Sequence, residues 1–386
     1  MLTAIDLLAY CMIIRKLFIL LLLAGILGCS DSQPSIKKLP NLTTVSVEGV
    51  PEIQLIKDEA FRGSQNAEIN KIGDIAADTL GKVYFVDEYK HKIQVVDVEG
   101  ITTGTMGRAG GRPGEFRKLG HIEVQNGKAY AYDEDRKAMN VYDSESFEFI
   151  KSTVFSAKGL TGDSLANAAP FTAHILAGGN YLVGFQVVES PADRHLYFYK
   201  VNSEGEIISD QILDFPNKPL FVEDGPKGMI IMMMPYECET LMLTDSKGFI
   251  YTVYTEDFLI RKFDAEGNYL EAWQYPVDKR KLNTADAVDM FDEVDIRRAI
   301  RGDDLPDTWP AVAQMLVDDE DRFWVATITQ NLENYRWYVI NNSGEVAGTF
   351  ELPRSVDIRA VQNGTVYAKE FNPRTYAEEV LRFSIR

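Results

Sequence analysis

Residues 81–100, GKVYFVDEYKHKIQVVDVEG, hold the pattern that decides the fold. Two short apolar segments, residues 83–86 and 93–96, flank a polar turn, and a second turn follows at residues 97–100. β-branched and aromatic residues dominate both segments, as is typical of β-strands. The same pattern returns at least four more times downstream. A repeat with a period of a few tens of residues predicts a fold built from one recurring unit.

Six copies of the pattern can be aligned on their first turn. The anchors of these copies are Gly81, Gly127, Gly179, Gly248, Asp321 and Gly364, spaced by 46, 52, 69, 73 and 43 residues. Each copy offers about four strands, and most of the second turns carry a glycine that supplies the positive φ of a tight hairpin. The strands are apolar on both faces, which suits sheets packed between neighbours on each side.

Four-stranded units repeated six times predict an all-β fold, a six-bladed β-propeller with four-stranded blades. A second motif supports this prediction. Residues 111–116, Gly-Arg-Pro-Gly-Glu-Phe, resemble the GxPGxF connector that leads into the next blade in NHL-type repeats. The chain from about residue 50 to residue 386 therefore resembles six-bladed propellers of the NHL/TolB-like type, especially the lipid-anchored bacterial ones.

The resemblance also implies how the ring closes. Residues 62–69, RGSQNAEI, are the counterpart of the connector in front of the first copy. That alignment makes residues 53–56 the outer strand of a blade whose other three strands come last, at residues 358–383. A strand from each terminus would then remove the exposed edge that an open array of sheets presents.

The N-terminus has the pattern of an export signal. Arg15-Lys16 is followed by an apolar run at residues 17–27, which is too short to cross a bilayer as a helix. Residues 26–29, Ile-Leu-Gly-Cys, resemble the lipobox of bacterial lipoproteins, in which the cysteine becomes the lipidated first residue. Leu27 is a less usual choice at its position. An uncleaved anchor or a plain secretory peptide is the alternative.

These segments give the expected domain organisation. We expect a signal peptide at residues 1–28 that starts from Met1 or Met12, a lipidated Cys29 with a flexible tether at residues 29–41, and a propeller at residues 42–386. The lipobox resemblance implies an exported lipoprotein, anchored in the outer membrane of a Gram-negative bacterium and facing the periplasm or the surface. Cys238 is the single cysteine within the propeller, so no disulfide framework is expected.

Composition and charge exclude one class of partner. The 386 residues are 45% hydrophobic and 25% charged, which is enough apolar surface for a large core. The net charge of −18 argues against nucleic acid, since proteins that bind it carry basic stripes. An acidic body is not drawn to anionic lipid, so the acyl chain would hold the protein at the membrane.

The two long spacings mark insertions. The first, at about residues 215–236, contains a methionine-rich run at residues 229–234, which predicts either a buried strand or, less often, an adaptable contact surface. The second, at about residues 276–310, predicts one helix, because acidic residues come early and arginines come late in an apolar stripe. Such a helix would serve as a lid beside a ligand pocket or as a brace between blades.

Linear motifs for chemistry are absent from the sequence. There is no HxxxH, GxSxG or P-loop pattern, and no catalytic residue is predicted. Asp74, His121 and His174 lie near the starts of predicted innermost strands, so they could converge on one channel mouth and hold a divalent cation. The other interpretation is a structural or solvent-facing role, since a shift of one residue would turn His174 to the opposite face.

A candidate ligand face is predicted from two groups of residues. Arg108, Arg112 and Arg117 cluster at the connector and could receive a carboxylate or sulfate, although such arginines more often bridge neighbouring blades. Tyr275 and Trp309 flank the helical insertion and are expected to be exposed, as in aromatic platforms that bind sugars.

Two functions remain open, with a third behind them. The residues favour a lipid-anchored envelope propeller that binds a protein, peptide or glycan on the face bearing the two insertions. The alternative is an NHL-like metal-dependent hydrolase, lactonase or lyase with a site at the channel mouth. A structural spacer in an envelope complex is the third hypothesis. No cofactor is predicted apart from the divalent cation of the enzyme alternative, and the fold alone does not decide among the three.

Overall fold

The computed structural model describes residues 39–61, 63, 69, 71–160, 165, 167–225 and 228–386. The predicted signal peptide, Cys29 and most of the tether lie outside the described residues, as does most of the segment at residues 62–69. Within the described ranges, no helix is long and apolar enough to cross a membrane.

The strands of the first half form three blades. The chain begins with two short strands, β1 (Leu42–Thr44) and β2 (Leu55–Lys57). The first blade consists of β3 (Ile72–Ala77), β4 (Val83–Asp87), β5 (Lys92–Val96) and β6 (Thr102–Met106). The second consists of β7 (Leu119–Gln125), β8 (Lys128–Asp133), β9 (Ala138–Asp143) and β10 (Phe149–Val154). The third consists of β11 (Ala169–Ile175), β12 (Tyr181–Val188), β13 (Arg194–Val201) and β14 (Leu213–Pro216), with a 3₁₀ turn at Ala177–Gly179.

The second half adds three blades and the two insertions. A hairpin of β15 (Phe221–Gly225) and β16 (Gly228–Met232) precedes the fourth blade, β17 (Thr240–Thr244), β18 (Ile250–Tyr254), β19 (Leu259–Phe263) and β20 (Tyr269–Gln274). Helices α1 (Thr284–Asp289) and α2 (Val294–Gly302) precede the fifth blade, β21 (Val312–Val317), β22 (Phe323–Ile328), β23 (Asn334–Ile340) and β24 (Val346–Pro353). The sixth blade is β25 (Val356–Gln362), β26 (Thr365–Asn372), β27 (Ala377–Ile385) and β2. The predicted six-bladed propeller is confirmed.

The N-terminal segment closes the ring as predicted and extends further than predicted. β2 pairs antiparallel with β27, with Leu55 opposite Ile385, so the outer strand of the sixth blade comes from the N-terminus. β1 adds in parallel to β20, the outer strand of the fourth blade. Between them, the backbone of Thr349 exchanges hydrogen bonds with the segment at residues 51–53. Residues 42–57 therefore run along the outer edges of three consecutive blades.

A recurring turn lies between the third and fourth strands of the first, third, fourth and fifth blades. Asp97, Asn202, Asp264 and Asn341 each accept hydrogen bonds from the backbone N–H groups two and four residues later. The glycine that ends such a turn approaches the preceding blade closely. A Cβ on Gly344, where φ is +87°, would lie 2.6 Å from Trp273. Only glycine satisfies both the backbone angle and the contact.

The strand order also defines two faces of the ring. The first strand of every blade lines the central channel, and the strands within a blade alternate in direction. All connectors between blades therefore lie on one side, which we call the insertion face because both insertions are connectors. The turns between the first and second strands of each blade lie on the opposite side.

The two insertions pack on each other and form a layer on the insertion face. Tyr236, Val288, Ile300 and Trp309 share one buried cluster, against which Phe221 also packs. The prediction of one helix is wrong, because the segment forms α1 and α2 instead. A straight helix would carry residues 287 and 300 about 20 Å apart, whereas the break lets both helices bury apolar side chains in the same cluster.

The methionine-rich run is a strand of this layer, not a buried strand of the core. β16 pairs with β15 in a two-stranded sheet. Met229 and Ile231 are 62% and 58% exposed, and Met233 is also exposed, while Met234 is buried. The interpretation of this run as a buried strand is therefore wrong. The hairpin buries one side against the helices and presents apolar side chains to solvent on the other.

Candidate functional site

The central channel contains a cavity of about 490 Å³. It is lined by the first strands of all six blades and by the turns that follow them. Glu123, His174 and Arg359 contribute polar side chains to its wall, and the fourth and fifth blades contribute Asp245 and Asp321. Polar groups therefore line the channel from both halves of the ring.

Arg359 lines the channel cavity and pairs with two acidic residues. Its Nε and one terminal nitrogen donate to Asp74 Oδ1 at 3.0 and 2.7 Å, and Asp357 lies 3.7 Å away. Burial disfavours the charged guanidinium, but Asp74 and Asp357 outweigh burial and raise the pKa of Arg359. The other oxygen of Asp74 accepts the N–H of Ile122 at 3.0 Å. Both oxygens of Asp74 therefore already have donors within the protein.

The pKa values of His121 and His174 are shifted in opposite directions. The His121 and His174 rings lie 6.4 Å apart, and His121 Nε2 is 3.3 Å from Glu123. Burial opposes protonation of His121, but the hydrogen bond and charge of Glu123 raise its pKa. Burial lowers the pKa of His174 to about 4, so this ring is neutral at pH 7. The pair thus places a neutral ring beside a ring that Glu123 makes easier to protonate.

The predicted convergence of Asp74, His121 and His174 does not give a metal-ligand set. A cation beside Asp74 would meet the guanidinium of Arg359. In the part of the chain that the structure describes, no three His, Cys, Asp or Glu residues are placed to hold a metal ion. The arrangement does not fit a divalent cation.

The connector arginines form a local network. Arg108 donates to Glu115 at 2.7 Å, and Glu115 also accepts the N–H of Arg112. Arg136 of the second blade donates to the Arg112 carbonyl at 2.8 Å. Arg117 packs beside Gly111. The network fixes the connector on the second blade, and Arg108 has a carboxylate partner already.

Tyr275 and Trp309 are buried, so the expectation that they are exposed is wrong. Each is 1% exposed. The Tyr275 hydroxyl donates to the Gly344 carbonyl at 2.7 Å, and its ring contacts Phe258 at 4.6 Å between centroids. Trp309 packs edge-on against Tyr236 at 6.4 Å. The insertion layer covers Trp309. The position of Trp309 beside an insertion in the sequence gave no sign of this packing.

A second cavity, of about 180 Å³, lies beneath the insertion layer between the fourth and fifth blades. Its walls include Met290, Trp309, Ile328 and Arg354. We call it the insertion pocket. Three buried nitrogens of its lining, Trp309 Nε1 and Nε and NH2 of Arg354, have no hydrogen-bond partner among the described residues. Buried donors are nearly always partnered in proteins, so these three mark the pocket as unusual.

The charges of the insertion pocket are arranged unevenly. The Arg354 guanidinium stacks on Tyr335 at 4.7 Å and lies 5.9 Å from the Trp309 ring. Burial lowers the pKa of Arg354. Lys218 is paired with Glu239 at 2.7 Å, and burial raises the pKa of Glu237. Among the residues that the structure describes, no acid pairs with Arg354, so it is the unpaired cation of this pocket.

Sequence reasoning missed Arg354, Arg359 and Glu237. Arg359 lies at an irregularity in the pairing of β25 with β26, which turns its side chain toward the channel. Arg354 lies in the short loop between β24 and β25. The available signal was position alone, because both arginines flank the start of an innermost strand in the last repeat. Cys238 is half-buried, and burial raises its pKa to about 11, so the thiol is protonated at neutral pH.

Comparison with known proteins bears on the fold. No protein-family model and no curated protein sequence matches the chain. A Bacteroides fragilis protein described as exported superposes with a TM-score of 0.53 at 12% identity, over 89% of this chain and 99% of that one. A DUF4221 family member from Bacteroides vulgatus gives 0.51 at 13% identity, over 87% and 99%. At these identities the likeness shows the fold alone.

Proposed function

We propose that this protein is an exported propeller that binds a protein or peptide on its insertion face. The observation that carries the proposal is the two-insertion layer, which presents an exposed apolar hairpin and also borders a pocket with unpartnered donors. Methionine side chains adapt to irregular partners, and Met229 and Met233 lie at the hairpin surface. An exported solved structure of similar fold agrees with this location.

Binding to peptide and glycan arrays tests the proposal. Ile231→Glu places a charge on the exposed side of β16, opposite Val222, and should abolish binding without lowering the melting temperature. Leu80→Glu is the matched control, because Leu80 is 75% exposed in a turn on the opposite face. Peptide binding that survives Ile231→Glu, or is lost equally with Leu80→Glu, would overturn the proposal. Binding to glycans alone would replace the peptide with a sugar as the ligand.

The proposal includes a lipid anchor on Cys29 in the outer membrane. The lipobox resemblance of residues 26–29 supports it. Cys29→Ser should move the protein from the membrane fraction to the soluble fraction after cell lysis. Mass spectrometry of the mature N-terminus should find an acylated cysteine in the unaltered protein. An unmodified N-terminus, or membrane retention of the variant, would remove the anchor from the proposal.

A second candidate places chemistry in the channel. It is favoured by the neutral His174 beside His121, because paired groups with opposite pKa shifts are typical of acid–base sites. The channel geometry does not fit the metal of the hydrolase, lactonase or lyase alternative. A thermal-shift assay with chelator and divalent cations should therefore show no metal-dependent change. A chelator-sensitive shift that His121→Ala and Asp74→Ala abolish would favour the enzyme over the binding module.

A further inference from the structure

We infer that the insertion pocket binds a carboxylate group, carried by a small carboxylic acid or by the C-terminus of a peptide. Arg354 and the indole N–H of Trp309 would donate to it. The inference rests on the proposed function, because it names the chemistry by which the insertion face recognises its ligand.

Arg354 supplies the charge for this site. Its Nε and NH2 are buried and donate to no acceptor among the described residues. These two nitrogens form the edge of the guanidinium that matches the two oxygens of a carboxylate. Stacking on Tyr335 at 4.7 Å holds the plane of the group without using its donors. The arginine is thus oriented and still free to donate.

Trp309 supplies a second donor with little freedom to move. The residue is 1% exposed and packs against Tyr236, yet its Nε1 has no acceptor in the described structure. Indole N–H groups usually find a partner when buried. Because Trp309 and Arg354 line the same cavity, the two oxygens of one carboxylate can accept hydrogen bonds from both residues.

The rest of the pocket selects the kind of anion. Lys218 is paired with Glu239, whereas no described acid pairs with Arg354. Glu237 and Glu239 also line the cavity, and they repel a doubly charged phosphate more strongly than a singly charged carboxylate. Apolar walls from Met290 and Ile328 can cover a short aliphatic group attached to the carboxylate. A volume of about 180 Å³ limits the bound part to a small acid or a single terminal residue.

Calorimetric titration of the full chain with matched acids and amides tests the inference. The probes are acetate, N-acetyl-alanine and a tripeptide with a free C-terminus, each compared with the corresponding amide. We expect the acids to bind and the amides to bind at least tenfold more weakly, since an amide lacks the charge. Tighter binding of the tripeptide would identify a peptide terminus as the source, and tighter binding of acetate or N-acetyl-alanine would identify a free acid.

Three variants assign the binding to the named donors. Arg354→Met should weaken binding of the acids at least tenfold. Trp309→Phe keeps the ring, removes the N–H, and should weaken it several-fold. Arg336→Met is the matched control, because Arg336 pairs with Glu351 at 2.6 Å on the outer part of the fifth blade, and it should leave binding unchanged. Melting curves check that each variant is folded, and either pocket variant alone suffices to test the site.

Three outcomes would overturn the inference. The first is equal binding of an acid and its amide, and the second is no acid binding up to about 10 mM. The third is unchanged acid binding in folded Arg354→Met and Trp309→Phe. Failure of the proposed function looks different, because Ile231→Glu would then leave peptide binding intact whether or not acetate binds the pocket.

Discussion

Arg354 and Arg359 lie close together in the chain, yet the channel and the insertion pocket treat them oppositely. In the channel, Arg359 has Asp74 and Asp357 as partners, and their charges raise its pKa. In the insertion pocket, Arg354 has aromatic rings beside it and no acid, and burial lowers its pKa. The same side chain is thus satisfied in one region and left with open donors in the other.

The difference separates what holds the ring from what the ring presents. Polar groups of the channel and of the repeated turns are bonded within the protein, so they specify how blades meet. A buried donor without a partner costs stability, and it persists only where something other than stability maintains it. The insertion pocket holds three such donors among the described residues, on Trp309 and Arg354, so we expect substitutions in the two regions to behave differently.

The largest expected effect comes from removing the segment that both regions depend on. Deleting residues 42–57 removes the outer strand of the sixth blade. It also removes the packing of Val45 and Val47 against the fourth and fifth blades. The packing of Ile53 and Leu55 against the fifth and sixth blades is lost as well. The loss should be about 5 kcal/mol of unfolding free energy, measured by urea denaturation. Deleting the hairpin at residues 220–233, a segment of similar length, should cost less. Equal melting of the deletion and the unaltered protein would contradict this account of ring closure.

Asp74→Asn should lower the unfolding free energy by disrupting the ion pair in the channel. The variant leaves Arg359 without its carboxylate, and the two side chains are only 12% and 31% exposed. We expect a loss of about 2–3 kcal/mol by urea denaturation. Asp357→Asn is the control, because its contact with Arg359 is longer, at 3.7 Å, and it should cost less than about 1 kcal/mol. Equal losses would mean that Asp74 is not the principal partner.

Lowering the pH should weaken the channel through His174. Unfolded His174 takes up a proton below about pH 6.5, whereas the folded residue does so near pH 4, so stability is lost as the pH falls through that window. His121 has a raised pKa, so the stability that it contributes is lost only as the pH rises above about 6.5, outside this window. The fall should be about 1–2 kcal/mol after allowing for partial exposure of His174. His174→Gln should flatten the stability profile between about pH 6.5 and pH 4, and an unchanged profile would exclude this residue as its source.

The smallest stability change should come from Arg354→Met. This substitution removes a buried charge that has no acidic partner, so unfolding free energy should stay within about 1 kcal/mol or rise. The contrast with Asp74→Asn is the sharpest test of the two regions, measured in the same urea series. A loss as large as that of Asp74→Asn would mean that Arg354 supports the fold through contacts with Tyr335 and Trp309 instead.

The sequence predicted the ring better than it predicted the sites. Repeats such as residues 81–100 carry their own strands and turns, and local pattern decides those. The partner of residues 53–56 was predictable because a four-stranded blade lacked one strand. The parallel pairing of β1 was not, since three residues with no alternation have no readable partner. The predictions for the lipid anchor and for the NHL/TolB-like family stay predictions.

The candidate sites depend on packing that no short pattern records. Trp309 was expected at the surface, and the insertion layer covers it because α1 and α2 fold back on one cluster. Arg359 enters the channel through an irregular strand pair, which displaces a side chain by one position. Asp74 and His121 lie on β3 and β7, the innermost strands of their blades, but the charge that Asp74 meets belongs to Arg359 of the last blade.

The seam between β2 and β27 also sets the order in which the molecule can be completed. Gln54 and Arg386 exchange backbone hydrogen bonds, so the seam joins two segments that lie more than 300 residues apart in sequence. Contacts between such distant residues form late and slow folding. Until β25 to β27 have formed, β2 has no sheet to join, so closure of the ring is expected to be a late step of folding.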